Sequence, residues 1–167
     1  DNADDKLRAR IKVAIMRRRE ALILQELERF PEAVASLEAG QRLLETVPPD
    51  HPNSLAAQRV RGLSLLDQGD IRWALDDHSM ARESWQRGME ILAQLAEAHS
   101  DNARVRRDYA HAYRRVGLSE ADVDARRSLN TLRESRVVFQ ALHEDQPTND
   151  PAHRDLAMAW YYEGWAA

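Results

Sequence analysis

Apolar and small residues recur along this chain with the spacing of an amphipathic helix. Three segments each carry a small, large, small, large, large set at spacings of 4, 3, 4 and 3 residues. These spacings place the members of a set on one helical face. The sets are Ala33, Leu37, Gly40, Leu44 and Val47; Ala81, Trp85, Gly88, Leu92 and Leu95; and Ser128, Leu132, Ser135, Phe139 and Leu142.

The whole pattern repeats along the sequence. Four small residues, Ala21, Gly69, Gly117 and Gly164, lie 48, 48 and 47 residues apart, and residues 105–117 align without gaps on 152–164. A fixed period of this length is typical of repeat proteins, in which each unit buries its apolar face against its neighbours. We therefore expect one repeat domain over 1–167. Its predicted units are about 1–50, 51–99 and 100–147, followed by a half unit at 148–167.

Turn-forming residues divide this pattern into seven predicted helices. Breaks rich in Pro, Asp, Asn and Ser fall between units, and weaker breaks fall within them. The predicted helices are 4–29, 32–47, 53–76, 79–98, 102–122, 125–145 and 150–166. Short connections make consecutive helices antiparallel, so the predicted fold is an all-α stack of antiparallel helix hairpins.

The composition agrees with a helical chain. Charged residues make up 31% and hydrophobic residues 43%, with only 6 Gly and 6 Pro among 167 residues. No segment alternates apolar and polar residues over the length of a strand, so no sheet is expected.

The segment Glu26-Leu-Glu-Arg-Phe-Pro-Glu-Ala33, followed by Leu37 and Leu44, resembles the centre of a tetratricopeptide repeat. The period of that repeat is 34 residues, and the longer period here fits helices extended by about two turns each. The string Arg-Asp-(Tyr or Leu)-Ala-x-Ala-(Tyr or Trp)-x-x-x-Gly occurs at 107–117 and 154–164. It is similar to long-period arrays of bacterial regulatory proteins, which often carry a serine/threonine protein kinase domain. The resemblance implies a right-handed superhelix of hairpins.

The chain departs from the tetratricopeptide pattern at four positions. Arg72 and Glu120 stand where a large apolar or aromatic residue is usual, and Glu28 and Asp76 replace the usual turn glycine. The second unit also has two alternative registers, seven residues apart, because both Gly62 and Gly69 fit the small-residue position.

In tetratricopeptide arrays the first helix of each unit lines a concave surface that receives an extended peptide or a partner helix. The matching positions here are Ile15, Arg18, Leu22, Gln25, Leu63, Leu66, Asp70, Trp73, His111, Arg114, Leu118, Met158, Tyr161 and Trp165. Arg18 and Arg114 among apolar residues suit a peptide with hydrophobic anchors and an acidic group, since Arg holds a carboxylate in two-point geometry. The alternative is that several of these residues only fill the inside of a tight superhelix.

We expect a non-catalytic interaction module that binds a protein or peptide within a larger bacterial signalling protein. The alternative is an oligomerisation or spacer element that joins copies of the chain through the aromatic segment Trp160-Tyr-Tyr-Glu-Gly-Trp165. The chain contains no Gly-rich phosphate loop and no His-Arg-Asp or Asp-Phe-Gly motif, so no enzyme activity is expected.

The sequence gives little indication of a metal site, a cofactor site, or binding to nucleic acid or membranes. Cysteine is absent, and no two of the six His lie three or four residues apart, so no metal and no cofactor is expected. The acids near residues 76–77 and 122–124 are expected to cap helices. A net charge of −4 argues against nucleic acid, and no apolar run approaches the roughly 20 residues that span a bilayer. A cytoplasmic location is favoured, and we expect the chain to be a piece of a longer polypeptide.

Overall fold

The computed structural model describes residues 2–48 and 51–167. Within these ranges the chain forms seven helices and no strands. The helices are α1 (Asn2–Glu26), α2 (Phe30–Leu44), α3 (Ser54–Ala74), α4 (His78–Ala98), α5 (Ala103–Glu120), α6 (Ala125–Asp145) and α7 (Asp150–Ala166). The predicted all-α class is confirmed, and each helix begins and ends within three residues of its predicted bounds. None of these helices has the combination of length and apolar character that crossing a bilayer requires.

Polar residues at the predicted breaks cap the helices. The side chains of Asn102, Asp124 and Asn149 each accept a hydrogen bond from a backbone N–H in the first turn of the next helix. Asp77 Oδ1 accepts from the backbone N–H of Met80 at 3.3 Å. Because the first amides of a helix have no partner within the helix, these side chains supply one. The capping role predicted for the acids is confirmed for Asp77 and Asp124.

Two of the tight turns use a left-handed residue that is not glycine. Glu28 has a φ of 57° and Asp76 a φ of 59°. These are the two positions at which the sequence replaces the usual turn glycine. A side chain is unfavourable in this region because its Cβ approaches the following carbonyl oxygen.

The helices form two compact units, residues 1–91 and 92–167, and α4 contributes to both. In the N-terminal unit, α1, α2 and α3 pack around two apolar clusters. One cluster contains Ala21, Ala33, Leu37 and Ile71, and the last three of these are fully buried. Burying a Leu or Ile side chain contributes about 1.5–3 kcal/mol, so these residues anchor α3 to the first hairpin, which α1 and α2 form.

Each hairpin has a position at which two small residues let the helix backbones approach. In the first hairpin, a Cβ built on Gly40 lies 3.4 Å from the carbonyl oxygen of Ala14. In the second, a Cβ on Gly88 would lie 2.9 Å from the carbonyl oxygen of Gly62. In the third, Ser135 Oγ donates to the carbonyl oxygen of Ala110 at 2.8 Å. We call Ala14, Gly62 and Ala110, which are 48 residues apart, the first crossing positions.

The small residues found in the sequence form a second crossing, seven residues further along the same helices. A Cβ on Gly69 would overlap the indole ring of Trp85, and one on Gly117 would lie 2.8 Å from Leu132 Cγ. Ala21 shares a core cluster with Leu37. Helix α3 therefore uses both of its glycines, Gly62 at the first crossing and Gly69 at the second.

The C-terminal unit contains α5, α6 and α7, together with the end of α4. Its core cluster contains Ala110 from α5, Phe139 and Leu142 from α6, and Ala159 from α7. Phe139 is 1% exposed and is the largest fully buried side chain described. Packing around this ring therefore fixes α7 against the third hairpin, which α5 and α6 form.

Candidate functional site

The predicted lining residues divide between the two units, eight in 1–91 and six in 92–167. In α1, Ile15 packs against the core, Gln25 is half-buried, and Leu22 is exposed. In α3, Leu63 is half-buried, whereas Leu66 is 1% exposed. A side chain this deeply buried favours the packing alternative for Leu66.

The predicted cation Arg18 is held by an acid of the chain itself. Arg18 Nε donates to Asp67 Oδ2 at 2.6 Å and Nη2 donates to Oδ1 at 3.2 Å. This is the two-point geometry expected for a ligand carboxylate, but the carboxylate belongs to α3. Arg18 therefore links α1 to α3 in the N-terminal unit.

The remaining α3 positions engage α4 within the N-terminal unit. Asp70 Oδ1 accepts from Trp85 Nε1 at 2.9 Å. The ring of Trp73 lies 5.3 Å from that of Trp85 and 4.1 Å from that of His78. Asp70 thus orients the indole that covers Gly69.

In the C-terminal unit the six predicted residues have different environments. Arg114 lies over the ring of Tyr162, with 5.4 Å from its guanidinium carbon to the ring centroid. His111 and Leu118 are half-buried, whereas Met158, Tyr161 and Trp165 are exposed. The accessible part of this set therefore lies on α7.

A cavity of about 240 Å³ opens between the N-terminal ends of α5 and α7 and the C-terminal end of α6. Its apolar lining consists of Ala103, Phe139, Leu142, Pro151 and Ala152, and its polar lining of Arg104, Arg107, Gln146, Asn149 and Asp155. An apolar hollow with a few convergent polar groups is the usual form of a ligand pocket.

Arg107 and Asp155 form the charged wall of this cavity. Arg107 Nε donates to Asp155 Oδ2 at 2.5 Å, and this hydrogen bond raises the pKa of Arg107 above its ordinary value. The Asp155 side chain is only 9% exposed, whereas the Arg107 side chain is 42% exposed. The guanidinium is therefore accessible from the solvent while it holds the carboxylate.

His111 lies behind this ion pair. Its Nε2 is 3.5 Å from Asp155 Oδ2, and its ring meets the edge of Phe139 with 4.9 Å between centroids. Burial, together with the nearby charge of Arg114, lowers the pKa of His111 to about 4 against the opposing effect of Asp155. The imidazole is therefore neutral at pH 7.

No protein-family model matches the sequence, and no curated protein is similar enough to count as a relative.

Sequence reasoning missed the cavity and its arginines, although the repeated string contained a signal. Arg107 is the Arg of the first copy of that string, and Asp155 is the Asp of the second copy. Their contact joins the string of one repeat to the string of the next. Among the described residues, no group of three or more His, Asp or Glu could hold a metal ion.

Proposed function

We propose that this chain is a non-catalytic tetratricopeptide-like module that binds an extended peptide of a protein partner, within a larger bacterial signalling protein. The observation that carries this proposal is the cavity between α5, α6 and α7. The cavity takes one bulky apolar side chain of the peptide, which packs on Phe139 and Leu142.

The charges around the cavity define the second feature of the ligand. Arg104 is exposed at the rim, and Arg107 contributes a solvent-accessible guanidinium. Both lie at the N-terminal end of α5, where the helix dipole adds partial positive charge. A carboxylate next to the apolar anchor complements this rim, so the preferred peptide carries an acidic group beside a large apolar residue.

The proposal is tested by selecting binders from a phage-displayed library of twelve-residue peptides and measuring one selected peptide by fluorescence polarisation. We expect the selected peptides to pair a large apolar residue with an acid. Ala152→Trp, which fills the cavity, and Arg104→Glu, which reverses the rim charge, should each weaken binding at least tenfold.

Arg126→Glu is the matched control, because Arg126 is exposed in the first turn of α6 and does not line the cavity. Failure of the library to give any binder contradicts the proposal. Equal affinities for the Arg104→Glu and Arg126→Glu variants contradict the assignment of the cavity.

A further inference from the structure

Helix α1 has an exposed apolar stripe on the face opposite its core residues. Met16 is 61% exposed and Ile23 is 63% exposed, and Val13 and Leu27 are exposed as well. With Glu20 between them, these residues follow one another at alternating spacings of 3 and 4, which keeps them on one side of a helix. We call Val13, Met16, Glu20, Ile23 and Leu27 the α1 stripe. A shallow hollow lined by Val13, Met16, Arg17 and Glu20 lies in its middle.

The equivalent face of α3 is covered by a helix. The α3 residues that lie 48 positions after Ala9, Met16, Glu20 and Ile23 are all buried, and they are Ala57, Ser64, Gln68 and Ile71. Ile71 shares a core cluster with Leu37 of α2, and Ala57 shares another with Leu44 of α2. This face of a first helix is therefore suited to packing by a second helix. In α1 all four positions are exposed.

Cations lie on both sides of the N-terminal part of the α1 stripe. Arg10 and Arg17 follow one edge, Lys12 and Arg19 follow the other, and all four are exposed. If the stripe occupies the a and d positions of a heptad, these cations occupy the e and g positions, where charges select the partner helix. The equivalent α3 positions are Gln58, Val60, Leu65 and Asp67, none of which is a cation. The flanking cations thus distinguish the open face of α1 from the face that this chain covers itself.

Two of these cations have no acid of their own. Lys12 and Arg19 make no hydrogen bond or ion pair with any residue in the part of the chain that the structure describes. Arg10 donates to the neutral Thr46 hydroxyl at 3.0 Å. Arg17 alone meets an acid, donating to Glu20 at 2.9 Å. The charge along the edges of the stripe is therefore largely uncompensated.

The acid within the stripe is already bound by the chain. Glu20 Oε2 accepts from Ser36 Oγ at 2.6 Å as well as from Arg17. These hydrogen bonds lower the pKa of Glu20, so the carboxylate stays ionised and directed toward α2. A lipid surface would place this ionised group against acyl chains, which is unfavourable.

We propose that the α1 stripe docks an amphipathic helix of a partner protein, with apolar residues against the stripe and Asp or Glu along both edges. The stripe is about 21 Å long and one helix wide, which matches a single helix of about 14 residues. Its apolar side chains give affinity, and the flanking cations favour an acidic helix over a neutral one. This surface lies in the N-terminal unit, so the inference is independent of peptide binding at the C-terminal cavity.

Three synthetic helical peptides test the proposal by fluorescence polarisation with the intact chain. They share one apolar face of Leu and Ile and carry Glu, Gln or Lys at every flanking position. We expect the Glu peptide to bind at least tenfold more tightly than the Gln peptide, and the Lys peptide to bind most weakly. High salt should narrow these differences, because the flanking charges are exposed and are screened.

Substitutions on α1 test the location. Met16→Glu should weaken the Glu peptide at least tenfold, and Val137→Glu is its control, because Val137 is an exposed apolar residue of α6. Lys12→Glu and Arg19→Glu should each weaken the Glu peptide at least threefold and leave the Gln peptide unchanged. Arg126→Glu is the control for charge reversal. Because the altered α1 residues are exposed, these variants should keep their circular dichroism spectra and melting temperatures.

Four outcomes overturn the proposal. Failure of all three peptides to bind does so directly. Equal affinities of the Glu and Gln peptides show that charge does not select the occupant, as expected if a helix like α2 covers the face. Binding to vesicles rich in phosphatidylserine, without binding of the Glu peptide, assigns the stripe to a lipid surface. Self-association in sedimentation equilibrium that Met16→Glu abolishes assigns it to a second copy of the chain.

The α1 variants and their controls also decide the assignment of the face. If Met16→Glu and Val137→Glu weaken the Glu peptide equally, the peptide does not dock on the α1 stripe. If Lys12→Glu weakens the Glu and Gln peptides equally, the cation acts on the fold of α1 and does not contact the acids of the partner.

Discussion

Arg107 and Asp155 join α5 to α7 across 48 residues of sequence through a hydrogen bond of 2.5 Å. Arg18 and Asp67 join α1 to α3 in the same way, across 49 residues. In both pairs the acid is buried and the arginine is partly exposed. Each of these two ion pairs thus connects the first helices of two consecutive repeats.

Replacing Arg107 with Ala should lower the free energy of unfolding by about 2 kcal/mol. The substitution removes the guanidinium from a carboxylate that is largely out of water, and the exposure of Arg107 keeps the loss below that of a fully buried pair. Urea denaturation measures the loss. Arg104→Ala, three residues earlier in the same helix and exposed, should change stability by no more than about 0.5 kcal/mol. Equal losses in the two variants would show that the ion pair is not needed for stability.

Alanine should have opposite effects at Gly69 and at Gly164. At Gly69 the new methyl group overlaps the Trp85 ring, and overpacking costs about 1–3 kcal/mol. At Gly164 the methyl group meets nothing, so the higher helix propensity of Ala stabilises the chain by up to about 1 kcal/mol. Melting temperatures measured by calorimetry should therefore fall for Gly69→Ala and rise for Gly164→Ala. A rise in both would mean that the crossing at Gly69 is loosely packed.

Glu28→Gly should stabilise the N-terminal unit by about 0.5–1 kcal/mol. At a φ of 57° a glycine has no Cβ to strain the turn, and this gain exceeds the entropy that glycine adds to the unfolded chain. The control is Glu45→Gly, because Glu45 directly follows the last residue of α2 with a φ of −59° and gains nothing from glycine. Chemical denaturation of both variants checks the sign, and a stabilised Glu45→Gly variant would contradict this explanation.

The stability of the chain should fall as the pH is lowered from about 6.5 to about 4. The pKa of His111 is about 4 in the folded state and near 6.5 in an unfolded chain. Between these values the unfolded chain binds more protons, so the contribution of His111 to stability is complete above pH 6.5. It decreases by up to about 3 kcal/mol on acidification and levels off below pH 4.

Urea denaturation at several pH values measures this slope. His111→Gln should flatten it, because glutamine does not titrate. An unchanged slope in His111→Gln would show that another group of the chain carries the pH dependence.

The helices were predictable because their signals are local. Spacings of 3 and 4 residues define the apolar faces, and residues such as Asn102 and Asn149 mark the starts of helices. The unusual turn residues Glu28 and Asp76 were also visible, since both stand where glycine is expected, and both have a positive φ.

The individual contacts of the site were less predictable because they depend on neighbouring helices. The sequence indicates the face on which Arg18 lies, but not that Asp67 lies opposite it. The polar residues Arg72 and Glu120 also had no sequence explanation. In the structure Arg72 donates to Ser84 Oγ, and Glu120 accepts from Thr131 Oγ1, so each makes a polar contact between the two helices of its own hairpin.

The spacing between the two crossings of each hairpin determines which insertions its helices can accommodate. First and second crossing positions are seven residues apart, as in Gly62 and Gly69. Seven residues are nearly two full helical turns, so a helix lengthened by this step returns to the same face and gains another place for close approach. The period of 47 to 48 residues exceeds the 34 of a standard tetratricopeptide unit by about two such steps, one for each helix of a hairpin. Insertions of seven residues would therefore be tolerated in these helices, while an insertion of one or two residues would rotate the small residues away from the place where the backbones must meet.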